Sequence, residues 1–188
     1  MDATIEVALA DGIADKSLRA IAEATGTSHR MLIHHFGSKE RLFVEIIRAV
    51  EARQRAAFSN LHADGDAPSE DVGLHFWKQL RSPKLAPQER LFFEVYGQAL
   101  QGRAWAKPLL EGIVEDWIGP LAALSQRYGV RPELARIVAR LTVAVSRGLL
   151  LDVLATGDER EVDAAMEQFS HMIREYVTGL MAPRKGRR

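Results

Sequence analysis

Apolar residues recur at spacings of three and four along nearly the whole chain, and this repeat constrains the fold more than any other feature. An α-helix turns once per 3.6 residues, so the repeat gives each helix one apolar stripe, whereas a half-buried strand would alternate. The repeat is interrupted at segments that contain a glycine, a proline or a capping residue. These segments are residues 10–15, 25–28, 37–39, 62–70, 82–87, 128–132 and 155–159. The sequence therefore predicts an all-α protein.

Composition limits the class of protein. With 188 residues, 47% of them hydrophobic, the chain is long enough for one sizeable core or for a small module joined to a larger one. The absence of cysteine excludes disulfides and cysteine-based zinc sites. No apolar run reaches the length of a membrane span, and no signal peptide opens the chain. We therefore expect a soluble, cytoplasmic protein.

The net charge is zero, but the charges are unevenly distributed. Residues 1–15 carry a charge of −4, residues 16–41 carry +3, and the tail at 184–188 carries +4. Nucleic-acid binding requires a basic patch and not a basic average. The segment at 16–41 is thus a candidate patch, and we interpret the tail as a solvated end.

Two helix-sized segments joined by a glycine occupy this basic region. The first carries one apolar stripe, formed by Leu18, Ile21, Ala22 and Thr25. Gly26 follows it, where a helix commonly ends with a positive φ. Ser28 suits the N-cap of a second helix at residues 29–36, which Gly37 ends. Ser38 then caps a third helix, so the pattern predicts a helix-turn-helix.

The second helix has a face suited to reading DNA. At about 100° per residue, Leu32 and Phe36 share the buried face, with Arg30 and His34 almost opposite and Met31 and Ile33 beside them. Such a mixed face of donors and apolar groups matches base edges: Arg30 suits guanine, and Met31 or Ile33 suits a thymine methyl. Ser28 and Lys39 lie at helix N-termini, which favour phosphate. The predicted DNA-binding residues are Ser17, Thr27, Ser28, His29, Arg30, Met31, Ile33, His34 and Lys39.

The three histidines of this region allow other interpretations. His34 and His35 point about 100° apart, and no Asp, Glu or Cys completes a metal site there, so we predict no metal site. Catalysis requires a nucleophile, an oriented base and a pocket, and an exposed helix face offers no pocket. A purely structural helical hairpin remains the alternative that periodicity alone leaves open.

The segment "SLRAIAEATGTSHRMLIHHFGSKERLF" at 17–43 resembles the DNA-binding signature of the TetR-type (tetracycline-repressor-like) bacterial transcriptional regulators. The positions that match the family pattern are Ile21, Ala22, Gly26, Ser28, Leu32, His35, Phe36, Lys39, Glu40 and Leu42. The chain departs from it at Ile33, where the family usually has a phosphate-contacting Tyr, and at Met31, where a small hydroxyl residue is common. Family members also have a longer first helix and a basic arm, so we expect that the natural protein starts upstream of Met1 or lacks the arm.

This resemblance implies a DNA-binding domain at residues 1–46 and a helical effector-binding and dimerisation domain at 47–188. It implies a homodimer on double-stranded operator DNA, most often a repressor released by a small molecule, with no enzymatic activity and no cofactor. A regulator of the same fold that activates transcription or lacks an effector is one alternative. A helical small-molecule binder or enzyme is another, which the missing catalytic constellation disfavours.

The chain from about residue 71 onward is rich in aromatic side chains. Most of them are expected to fill a helical core, but bulky aromatics between helices also line ligand pockets. The candidate ligand-binding residues are Phe76, Trp77, Phe92, Phe93, Tyr96, Trp105, Trp117 and Arg147. Arg147 would pair with an acidic ligand or, as we prefer, with Asp152. A kink at Pro120 would open space between helices.

The last helices carry broad apolar faces that need a partner. The family resemblance implies that they form a four-helix interface between two copies. The candidate dimerisation residues are Leu141, Val145, Val162, Met166, Phe169, Ile173, Tyr176 and Val177.

Overall fold

The computed structural model describes residues 17–63 and 69–181, and every regular element in these ranges is helical. In chain order the α-helices are α1 (Leu18–Ala24), α2 (His29–Phe36), α3 (Lys39–Ala63), α4 (Ser69–Leu80), α5 (Ala86–Leu100), α6 (Glu115–Arg127), α7 (Pro132–Thr156) and α8 (Glu159–Met181), with a 3-10 helix at Lys107–Leu110 between α5 and α6. The predicted all-α class is confirmed. The predicted break at 10–15 lies outside the described residues.

Helix ends follow the local signals that the sequence carries. The helix predicted at 29–36 is α2, and α7 begins with Pro132 and ends before Gly157, which has a φ of +74°. The 3-10 helix at Lys107–Leu110 was not predicted. α6 continues through Pro120, so the predicted kink there stays a prediction.

The described residues form two compact units, and the first comprises residues 17–56 and 83–113. Its buried side chains come from α1, α2, the first half of α3, α5 and the segment after α5. They include Ile21, Leu32, Leu42, Phe43, Ile46, Leu91, Phe92, Val95, Leu109 and Ile113. Arg48 of α3 donates from Nη2 to the carbonyl oxygen of Pro108 at 2.6 Å, which ties α3 to the 3-10 helix.

The second unit comprises residues 57–63, 69–82 and 114–181 of the described chain. Its core is a continuous apolar cluster formed by Phe58, Phe76, Trp117, Ile118, Ala122, Val130, Ala135, Ala139 and Val143. At its surface Glu115 of α6 pairs with Arg136 and Arg140 of α7, the latter through Nη2 at 3.0 Å. Within the described ranges, no helix has both the length and the apolarity to cross a bilayer.

Both units are discontinuous in sequence, and the division falls within α3, between Ala56 and Ala57. These units describe how the chain packs. The functional boundary expected after residue 46 is a separate question and stays a prediction.

Candidate DNA-binding surface

The first helix and the turn that follows it are held by side-chain and backbone hydrogen bonds. Ser17 caps α1 by accepting from the backbone N–H of Ala20 at 3.2 Å. Gly26 then takes a φ of +65°, a conformation that costs other residues energy. The next N–H, that of Thr27, donates to the carbonyl of Ala22 at 2.9 Å. The tight turn between α1 and α2 is therefore built by local interactions.

Helix α2 is held by one face and exposes the other. Ser28 caps it by accepting from the N–H of Met31 at 3.1 Å. Leu32 is buried, Phe36 is half-buried, and the remaining side chains of the helix are exposed. These exposed residues are His29, Arg30, Met31, Ile33, His34 and His35. The exposed face includes the predicted Arg30, Met31, Ile33 and His34 and is wider by His29 and His35, while its contact with DNA stays a prediction.

A second tight turn places the start of α3 directly after α2. Gly37 has a φ of +79°, and its N–H donates to the carbonyl of Ile33 at 2.8 Å. Ser38 caps α3 by accepting from the N–H of Arg41 at 3.2 Å. A hydrogen bond from the Ser38 side chain, a backbone N–H and nearby Lys39 lower the pKa of Glu40 below its ordinary value, because each favours the carboxylate.

Two cations lie at the start of α3. Lys39 is half-buried, with Nζ 5.1 Å from the centre of the Phe43 ring, a cation–π geometry. Arg41 is exposed and its side chain runs beside Gly37. The sequence prediction included Lys39 but not Arg41. The signal available for Arg41 was its place in the first turn of a capped helix, where it adds positive charge to the helix N-terminus.

The predicted ligand-binding residues fall into two groups that belong to different units. Phe92, Phe93, Tyr96 and Trp105 lie in the first unit. Phe92 stacks on Tyr96 with ring centres 5.4 Å apart and 15° between planes, and Phe93 meets Phe92 edge-on at 5.1 Å. These three rings share one face of α5 with Glu89, which is buried and accepts a hydrogen bond from Gln54 at 2.9 Å. The sequence prediction missed Glu89, although its spacing to Phe92 and Phe93 was visible.

The remaining candidates lie in the second unit, namely Phe76, Trp77, Trp117 and Arg147. The rings of Phe76 and Trp117 pack against each other at 5.8 Å and against Phe58 at 5.1 and 6.2 Å. Trp77 is buried and donates from Nε1 to Asp163 at 2.8 Å, and Arg147 is half-buried. These contacts explain Phe76, Trp77 and Trp117 as core residues without any ligand.

The predicted dimerisation residues differ strongly in exposure. Val162 is 3% exposed and Met166 is 5% exposed, so both are buried within their own chain and present no surface to a second copy. Leu141 and Tyr176 are exposed, whereas Val145, Phe169, Ile173 and Val177 are half-buried. Three large exposed apolar residues on the same helices were not predicted, namely Ile137, Leu151 and Met172. Spacings of three and four residues from the predicted ones could have identified Ile137 and Met172.

Among the residues that the structure describes, no group of three or more His, Cys, Asp or Glu side chains is arranged to hold a metal ion. The histidines of α2 are exposed and spread around the helix.

Comparison with known proteins gives three results. The family model of the bacterial regulatory proteins of the tetR family matches residues 1–46. No curated protein sequence matches the chain. Solved structures of similar fold cover nearly the whole chain.

One such structure is a TetR transcriptional regulator from Legionella pneumophila, with a TM-score of 0.64 and 20% identity over 93% of this chain and 95% of that one. Another is a transcriptional regulator from Rhodococcus sp. Rha1, with a TM-score of 0.69 and 20% identity over 92% of both chains. A third, from Saccharomonospora viridis, was solved in complex with choline, with a TM-score of 0.67 and 21% identity over 93% and 94%. At these identities the likeness shows a shared fold.

Proposed function

We propose that this chain is a TetR-type transcriptional regulator and that it acts as a homodimeric repressor, which a small-molecule effector releases from operator DNA. The observation that carries the proposal is the exposed recognition face on α2, and an exposed apolar stripe on α7 supports the dimer. The first suits a half-site of DNA, and the second suits another copy of the chain.

Contacts to DNA divide into base reading and phosphate binding. Arg30 and His34, one helical turn apart on α2, are the donors that face base edges in the major groove. Ser17, Thr27, Ser28, His29, Lys39 and Arg41 lie at or beside helix N-termini, where backbone N–H groups and positive charge favour phosphate. Arg41, which is exposed in the first turn of α3, adds to this positive charge.

The apolar stripe on α7 supports the dimer. Its members recur at alternating spacings of four and three and are all exposed: Ile137, Leu141, Ala144, Gly148, Leu151 and Ala155. This spacing is that of helices packed side by side in bundles. On α8, Met172 and Tyr176 are exposed at the same spacing of four. We assign these residues, with the half-buried edge of α8, to a four-helix interface, and Val162 and Met166 to the protomer core.

Effector binding is assigned to the aromatic face of α5. Phe92, Phe93 and Tyr96 offer ring faces and edges, while Glu89 and Gln54 offer the few polar groups that orient a ligand. Residues of this kind suit an organic cation, which aromatic faces and a carboxylate both attract. The choline complex of a protein with the same fold makes choline a reasonable first compound to test.

Repression and release follow from linkage. An effector that prefers a conformer with wrongly spaced recognition helices lowers DNA affinity, and DNA lowers effector affinity by the same factor. An activator, or a regulator without an effector, is the alternative. We further propose that the protein has no enzymatic activity and works in the cytoplasm, where its DNA would be.

The DNA-binding test is a fluorescence-anisotropy titration of the DNA upstream of its own gene against random duplex of equal length. Specific binding, about 10³-fold or more tighter than random binding, supports the proposal. Arg90→Ala removes an exposed arginine of α5 to which the proposal assigns no DNA contact, so it is the control and should leave the affinity unchanged. Equal affinity for both duplexes would contradict the proposal. A fall in the expression of a reporter behind this DNA distinguishes a repressor from an activator.

The dimer test replaces Leu141 and Leu151 together by Asp. Charge is costly in a stripe that the dimer interface would bury, so sedimentation should show a monomer, and operator affinity should fall with it. Leu100→Asp alters a comparably exposed leucine outside the stripe and should leave the dimer intact. A monomeric wild-type protein would contradict the proposed assembly.

The effector test titrates choline into the complex of protein and operator. If choline releases the DNA, and if Tyr96→Ala and Phe93→Ala weaken this release, the result supports the site on α5. Release that is unchanged in both variants would move the site elsewhere. If neither choline nor a panel of other organic cations releases the DNA, the result favours a regulator without an effector of this class.

A further inference from the structure

Two large apolar side chains stand on the exposed face of α2. Met31 is 55% exposed and Ile33 is 38% exposed, whereas Leu32 between them is buried. Leu32 and the half-buried Phe36 hold this helix against the rest of the first unit. Water-exposed apolar side chains gain free energy when another surface covers them, so Met31 and Ile33 are suited to binding.

The position of these residues on the helix is specific. At about 100° per residue, Arg30 and His34 form the midline of the exposed face, and Met31 and Ile33 lie about 80° to either side of it. The face thus has a polar centre and an apolar group on each flank. On the edges of bases in the major groove, the 5-methyl group of thymine is the apolar feature.

The charge around this face selects the partner. Arg30 lies on it, and Lys39 and Arg41 follow at the start of α3, whereas α2 itself carries no carboxylate. A polyanion is the surface that such an arrangement attracts. Because Met31 and Ile33 lie on the same face of α2 as Arg30 and His34, we take this polyanion to be the operator DNA.

We propose that Met31 and Ile33 each contact the methyl group of a thymine, and so require A·T pairs on both sides of the base pair that Arg30 reads. The inference rests on the proposed DNA-binding function. It adds which base pairs flank the one that Arg30 reads. The departures from the family pattern at positions 31 and 33 then become determinants of operator sequence.

The experiment is a selection of duplexes by the full chain from two random pools, one made with thymidine and one with deoxyuridine, which lacks only the methyl group. The thymidine pool should yield a consensus with thymines beside a guanine. The best duplex is then remade with single thymine-to-uracil changes. Each lost methyl should weaken binding about fourfold, and about 15-fold when the change is made in both half-sites of a dimer.

Met31→Ala and Ile33→Ala identify the residues responsible. Each variant should lose sensitivity to uracil at one of the two positions and keep it at the other. Both sites are exposed, so folding should persist, and Leu100→Ala controls for the loss of an exposed aliphatic side chain. Retained sensitivity in both variants would overturn the inference, because the methyl group would then act through another residue or through DNA shape.

Two further outcomes separate this inference from the function on which it rests. Specific binding that is equal on thymine and uracil duplexes overturns methyl reading and leaves DNA binding intact. Failure to select any specific duplex from the thymidine pool overturns both.

Discussion

Arg81 and Asp163 join the end of α4 to α8 through a two-point contact. Nη2 of Arg81 donates to Oδ2 of Asp163 at 2.6 Å, and Nε lies 2.5 Å from Oδ1 without the alignment of a hydrogen bond. Nη1 donates to Glu159 at 2.8 Å, and the indole of Trp77 donates to Oδ1 of Asp163. Asp163 therefore pairs with Arg81, the residue that follows α4, and accepts a hydrogen bond from Trp77 of α4. Both contacts link this part of the chain to α8, the helix that we assign to the dimer interface.

Asp163→Ala should lower the free energy of unfolding by about 2 kcal/mol, because it leaves the largely covered Arg81 guanidinium and the Trp77 indole without their shared acceptor. Asp163→Asn keeps an acceptor for Trp77 and should cost less. Urea denaturation followed by circular dichroism measures these differences.

Glu167→Ala, an exposed carboxylate elsewhere on α8, is the matched control and should change stability by less than about 0.5 kcal/mol. A double-mutant cycle with Arg81→Ala should give a coupling of about 1 kcal/mol or more. A coupling near zero would mean that the contact contributes nothing to stability.

Arg30→Ala and Lys39→Ala should weaken DNA binding in different ways. Loss of a bidentate guanine contact costs about 1–3 kcal/mol on the operator and little on random DNA, so Arg30→Ala relaxes sequence preference. Loss of a phosphate contact weakens all duplexes similarly and reduces the salt slope by about one. Anisotropy titrations at several salt concentrations measure both quantities. Unchanged affinities of Arg30→Ala for operator and random DNA would show that the reading face is wrongly assigned.

Gly26→Ala should destabilise the protein by about 1 kcal/mol, because Gly26 has a φ of +65° that an alanine adopts only with strain. An added Cβ would meet no atom within 4 Å, so the cost would be purely conformational. Gly73→Ala is the matched control: Gly73 lies in α4, in equally open space, and alanine there should stabilise by about 0.5–1 kcal/mol. Thermal unfolding measures both, and equal signs for the two variants would contradict this account.

The stabilising contribution of Glu40 should depend on pH. Because folding lowers its pKa from an ordinary value of about 4.5, the contribution is present above that value and is lost as pH falls through the lowered pKa. Glu40→Gln should therefore melt slightly below the wild type at neutral pH. This difference should shrink on acidification below about pH 4.5. A difference in melting temperature that stays constant down to about pH 3 would count against a role for the carboxylate charge.

Local interactions account for what the sequence determined about the recognition region. Caps, turns and helix periodicity depend on residues within four positions of each other, so Ser28, Gly37 and the exposed face of α2 could be predicted from their neighbours alone. The same reasoning failed at Lys107–Leu110, a short 3-10 segment without a long periodic pattern.

Only the tertiary structure decided which apolar residues of the last helices are core and which are surface. The broad apolar face of α8 includes Val162 and Met166, which are buried, and Tyr176, which is exposed. Periodicity identifies such a face but cannot say how much of it neighbouring helices cover. Tertiary structure likewise decided that Arg81 pairs with Asp163, 82 residues away, because no local rule relates side chains on different helices.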